Sequence, residues 1–83
     1  MINLNDRYFN LIANECFVIT EGPILKQNRK EPYYNVLWDD GTISDWFESE
    51  MNEWIDDVDL NIKIKDDKHL LVVKIKYSNS MSF

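Results

Sequence analysis

Nine carboxylates fall between residues 39 and 59: Asp39, Asp40, Asp45, Glu48, Glu50, Glu53, Asp56, Asp57 and Asp59. No Lys or Arg interrupts them, so that stretch carries a charge of -9, against -6 for the whole chain of 83 residues. Trp46, Phe47, Met51, Trp54 and Ile55 lie among the acids. A plain acidic run is most often a solvated face that keeps a protein soluble. Large rings set among acids suit a contact surface instead, because rings supply buried anchors and carboxylates supply a charged rim. The expected protein-binding residues are therefore Asp39, Asp40, Asp45, Trp46, Glu48, Glu50, Glu53 and Trp54, and the expected partner is a basic protein surface. Carboxylates spread over a compact face also imitate a phosphate backbone. A nucleic-acid-handling complex fits that description. The chain would then inhibit a host nuclease or defence complex, in the manner of anti-CRISPR or anti-restriction proteins.

Other chemistries find little to work with. His69 is the single histidine and sits beside an expected turn, with no nucleophile or acid fixed near it by spacing. Cys16 is the single cysteine, which excludes an internal disulfide and any cysteine-based zinc site, and reads as a small buried hydrophobe. Gly22 and Gly41 are the only glycines, too few for a phosphate-cradling loop. The pairs Asp39-Asp40, Asp56-Asp57 and Asp66-Asp67 lack calcium-loop spacing. No catalytic residue, metal or cofactor is expected, and a chain this short builds few cleft walls, so the expectation is a non-enzymatic protein. The alternative is direct nucleic-acid binding through Lys63, Lys65, Lys74 and Lys76, helped by Arg29 and Lys30. It ranks second because the -9 block repels phosphate.

Length allows one domain over residues 1–83. Hydrophobic residues make up 45% of it and aromatics 13%, enough for a core. No apolar run approaches the roughly 20 residues that span a bilayer, and residues 1–10 lack a signal-peptide layout. Abundant Asn, Ile, Lys and Asp beside a lone alanine, Ala13, suggest an AT-rich genome such as a low-GC bacterium or its phage. The expected location is the bacterial cytoplasm.

The elements that must position the acidic segment are mostly strands. Leu4, Tyr8, Leu11 and Ile12 have helical spacing, yet Arg7 to Ile12 equally suits a strand. Cys16 to Thr20 reads as a strand, broken by Gly22-Pro23. Tyr33 to Trp38 is the clearest strand, with Tyr34, Val36 and Trp38 on one face. Asp39-Asp40-Gly41 is a hairpin corner, and Thr42 to Phe47 returns from it. A helical turn follows over Glu48 to Asn52, with Asp45 and Glu48 at capping-box spacing. Residues 59–77 alternate as a second hairpin turning at Asp66-Asp67-Lys68, with lysines outward. Its edge, if bare, would allow a homodimer. Residues 78–83 form a flexible tail.

The run from Tyr34 to Met51, YNVLWDDGTISDWFESEM, resembles the central hairpin of SH3-like small barrels of the Tudor and KOW kind. In those, a strand ending in a bulky residue meets an acid-Gly corner, a returning strand and a short apolar turn. The resemblance covers residues 5–58 and implies a mainly β fold. That fold is an SH3-like barrel of about five strands with one or two short helical turns, to which the C-terminal hairpin is added. It also implies a binding module. A cage for a methylated cation would draw on Tyr33, Trp38, Trp46 and Trp54, with Asp40 and Asp45 as acids.

Overall fold

The computed structural model describes residues 1–79, with side chains through Tyr77. The chain order is β1 (Arg7–Asn10), β2 (Glu15–Ile24), β3 (Tyr33–Trp38), β4 (Ile43–Phe47), α1 (Glu48–Ile55), β5 (Asn61–Ile64) and α2 (Asp67–Asn79). The five strands make one unclosed antiparallel sheet in the order β4-β3-β2-β1-β5. β1 to β4 form a meander. α1 then carries the chain back so that β5 lies against the free side of β1.

Side-chain alternation along β1 and β2 sends apolar groups to both faces of the sheet. Tyr8, Phe17 and Ile19 go to one face, where Tyr34 and Val36 of β3 join them under Met51 and Ile55 of α1. Ile2, Trp38 and Trp46 pack around that cluster. Phe9 and Cys16 go to the other face and meet Ile64 of β5 and Val73 of α2, with Leu11, Ile62, Leu70 and Tyr77 at the margin. The continuous apolar run Cys16-Phe17-Val18-Ile19 thus belongs to a strand covered on both sides.

The ambiguous N-terminal stretch is a strand over Arg7–Asn10. The expected break at Gly22-Pro23 does not end β2. The strand continues to Ile24, with register shifts between Ile19 and Glu21 and between Glu21 and Ile24. Proline is tolerated there because β1 pairing stops at Val18, leaving that part of β2 with a neighbour on one side only. The Gly41 corner forms as expected. The Gly41 N–H donates to the Trp38 carbonyl at 2.9 Å, and Gly41 holds φ of 89°. The helical turn after β4 is present and extends to Ile55.

The second hairpin is overturned. Only its first arm is a strand, β5, and the second arm is the helix α2. The expected turn is a helix start. Asp66 Oδ1 accepts the His69 N–H at 2.7 Å, and His69 Nδ1 accepts the Lys65 N–H at 3.1 Å. Asp66 thus acts as the N-cap, while His69 reaches back to the residue before it, one position beyond the partner used in a Ser and Glu capping box. The expected tail begins inside α2, and residues 80–83 lie outside the described residues.

A buried amide pair ties three elements together. Asn10 Nδ2 donates to Asn61 Oδ1 at 2.8 Å across β1 and β5, and Asn61 Nδ2 donates to the Trp54 carbonyl at 2.8 Å. Asn10 Oδ1 also accepts the Ile12 and Ala13 N–H groups, shaping the β1–β2 turn. These bonds fix the end of α1 against the sheet. Trp54 is held by its backbone while its ring remains at the surface margin.

Candidate protein-binding face

Two sides of the sheet divide the acidic segment. Residues alternate along β4, so Trp46 packs toward the α1-covered core and Asp45 and Phe47 point the other way. The expectation of one face holding Asp45 and Trp46 together fails for that reason.

On the α1 side the rings form a connected row. Phe17 lies 5.1 Å from Trp38 and 5.0 Å from Trp46 between ring centroids. Trp46 meets Trp38 at 6.0 Å and Trp54 at 5.0 Å, both edge to face. All three tryptophans are half-buried. Trp38 Nε1 donates to Ser44 Oγ at 3.1 Å, which assigns that indole to the fold. The indole N–H groups of Trp46 and Trp54 have no acceptor among the described residues. Neither nitrogen is sealed from solvent. Trp46 therefore has its apolar body against the core, Trp54 packs edge to face on Trp46, and each ring keeps a free donor at the rim. Glu50 and Trp54 share one side of α1 at i, i+4 spacing, with Glu53 beside them.

Most of the acids also have local partners. Asp39 Oδ2 accepts the Cys16 N–H at 3.1 Å and ties the hairpin corner to β2. Asp40 Oδ1 accepts the Thr42 N–H at 2.9 Å, and that bond lowers the Asp40 pKa. Glu50 Oε1 accepts the Phe47 N–H at 3.1 Å and caps α1, a role expected of the Asp45–Glu48 pair. Glu48 Oε2 accepts the Tyr34 hydroxyl at 3.4 Å. Burial first, then the Glu48 carboxylate, raise the pKa of that phenol. Glu53 has no side-chain partner among the described residues and points into solvent. Of the eight expected residues, Glu50, Glu53 and Trp54 lie along α1, and Trp46 of β4 meets Trp54 there. Asp39 and Asp40 sit at the hairpin corner.

The far side of β4 holds a group that sequence reasoning missed. Tyr33 and Phe47 are direct partners across β3 and β4, and Asp45 lies on the same face. The guanidinium of Arg29, from the β2–β3 connection, stacks 4.3 Å from the Tyr33 ring and 5.9 Å from the Phe47 ring. It also approaches Asp45 Oδ2 at 3.5 Å. The hairpin corner contained part of this: pairing Leu37 with Ile43 puts Tyr33 opposite Phe47 two steps of alternation later. No local pattern pointed to Arg29.

The lysines of the alternative reading are dispersed. Lys63 is in β5 and pairs with Asp6 at 3.2 Å, and Lys65 follows that strand. Lys74 and Lys76 are in α2, about 200° apart around the helix. The single lysine-rich hairpin face does not exist. Burial, then the neighbouring Asp39, raise the Cys16 pKa, which keeps it a thiol. Among the described residues no group of three His, Cys, Asp or Glu is placed to hold a metal ion. None of their helices is long and apolar enough to cross a membrane. Comparison with protein-family models, curated proteins and solved structures found no match to this chain.

Proposed function

We propose that the chain is a non-enzymatic, SH3-like binding module that docks on a basic protein surface through the side of α1 that carries Glu50, Glu53 and Trp54 and the adjoining rim of the sheet. The β1–β4 meander, the helix before β5 and the return of β5 to β1 support the SH3-like assignment. The observation that carries the docking assignment is the Trp46–Trp54 pair, with two free indole donors beside Glu50 and Glu53. A ring already fixed by packing loses little entropy on binding, and its free N–H rewards a partner that supplies an acceptor. The carboxylates around it favour a basic partner and speed encounter with it. A nucleic-acid-handling complex is the partner class whose surface has that charge, and occupation of its phosphate channel would inhibit it.

Affinity capture from a lysate of the encoding cell, with and without nuclease, tests this. A basic protein should be retained after nuclease treatment and displaced by added DNA or RNA. Truncating an anchor ring costs about 2 kcal/mol, or about thirtyfold in affinity. Trp54→Ala combined with Glu53→Lys should therefore remove most of the captured protein. Undiminished capture by that variant sinks the proposal.

A further inference from the structure

The structure assigns a second contact point on the opposite side of β4: a cation site built from Tyr33, Phe47 and Asp45, which the chain's own Arg29 occupies and which takes an arginine side chain of the basic partner in exchange. The inference rests on the docking of a basic partner proposed above and adds a separate pocket for it. Tyr33 and Phe47 face each other across two strands, and Asp45 lies one pleat along β4 from Phe47. Two rings and an acid are the elements that attract a guanidinium through quadrupole and charge. A cation is in fact there. Arg29 stacks on both rings, and the Lys26 ammonium lies 5.5 Å from the Tyr33 ring.

Arg29 is held in a way that permits exchange. Its guanidinium makes no hydrogen bond among the described residues, and the Asp45 contact is a loose ion pair at 3.5 Å. Its side chain is still 31% exposed. The connection that carries it, residues 25–32, is exposed at residues 25–28 and at Lys30 and has one backbone bond of its own, from the Arg29 N–H to the Lys26 carbonyl. The far end of the connection is anchored independently: Glu31 Oε1 accepts the Ser49 N–H at 2.9 Å, and the Pro32 carbonyl accepts the Glu48 N–H at 2.9 Å. Arg29 can therefore swing out while the entry to α1 keeps its caps. β4 is an edge strand. A partner that grips this edge meets Trp46 on one side and the Phe47–Asp45 pair on the other. Replacing one arginine by another conserves the site's charge and stacking, so the internal arginine tunes affinity instead of closing the site.

The test is titration of arginine amide into the isotopically labelled chain, followed by amide NMR shifts. If the resident arginine leaves the site open in about one molecule in ten, its removal strengthens ligand binding about tenfold. Arg29→Ala should thus show saturable shifts at Tyr33, Asn35, Asp45 and Phe47 at millimolar ligand, with much weaker shifts in the natural chain. Adding Phe47→Ala or Asp45→Asn to Arg29→Ala should abolish them, and lysine amide should bind less well than arginine amide. A well-dispersed spectrum of Arg29→Ala without saturable shifts at these residues overturns the inference. That result leaves the Trp54 docking face untouched, because neither Arg29 nor arginine amide enters the capture test of that face.

Discussion

Replacing Gly22 with alanine tests how the bend in β2 is built. Gly22 holds φ of 138°, a conformation that side-chain-bearing residues rarely adopt. An added Cβ would also strike the Tyr34 ring, with Cγ at 2.8 Å and the Tyr33 carbonyl oxygen at 3.0 Å. The dihedral costs about 1–2 kcal/mol. Forcing a methyl group into a filled space costs about 1–3 kcal/mol more. Tyr34 has little freedom to retreat, since it is buried and its hydroxyl is bonded to Glu48. The sum, about 2–5 kcal/mol, is a large share of the roughly 4–12 kcal/mol expected for a domain of this length. Gly41→Ala is the internal control. Its φ is 89°, but no atom lies within 4 Å of the new Cβ, so only the dihedral term of about 1 kcal/mol applies. Urea unfolding followed by tryptophan fluorescence should place the Gly22→Ala midpoint well below that of Gly41→Ala, with the two slopes alike. In a Tyr34→Val background the extra loss at position 22 should shrink toward the control value. Equal midpoints for the two glycine variants would show that the Tyr34 contact does not define the bend.

Two further outcomes concern α1, the element that holds Trp54. Met51 is fully buried beneath the sheet, so Met51→Ala should cost about 3 kcal/mol and lower the melting temperature by more than about 10 °C; a drop of only a degree or two would mean that α1 is not seated as described. Glu31 accepts the Ser49 N–H, and that bond lowers its pKa. A carboxylate whose folded pKa is depressed contributes stability above the ordinary glutamate range and loses it as pH falls through the folded value. Glu31→Gln should therefore be less stable than the natural chain at pH 7, by a gap that is smaller at pH 3. A gap of the same size at both pH values, measured by urea midpoints, removes the carboxylate from the account.

Local chemistry made some parts of the molecule readable and left others silent. The β3–β4 hairpin is readable because an Asp-Gly corner fixes both the turn and the register, and the register then dictates every partner from Leu37–Ile43 to Tyr33–Phe47. The division of the acidic segment between two faces also follows from that register, since neighbours on a strand point apart. Grouping Asp45 with Trp46 by proximity in sequence overlooked the alternation. Arg29 was silent because an exposed connection has no periodicity from which to place a side chain.

The misread α2 is more instructive, because the information needed was present but not local. Residues 70–77 carry apolar groups at Leu70, Leu71, Val72, Val73, Ile75 and Tyr77, a set that satisfies period two and also the helical spacing Leu70, Val73, Tyr77. β-Branched residues tilt a local reading toward strand. The deciding constraint lies elsewhere in the chain. Tyr8 and Phe9 on β1, and Cys16 and Phe17 on β2, send apolar side chains to both faces, so the sheet needs cover on two sides. α1 supplies one. A further strand at residues 70–77 would have lengthened the sheet edge and left Phe9 and Cys16 facing water. A helix laid across the sheet places Leu70, Val73 and Tyr77 over Phe9, Cys16 and Ile64 instead. The Asp66–His69 cap starts the helix where that cover is needed. An isolated helix of 13 residues is marginal in water, so α2 owes its conformation to the face it covers.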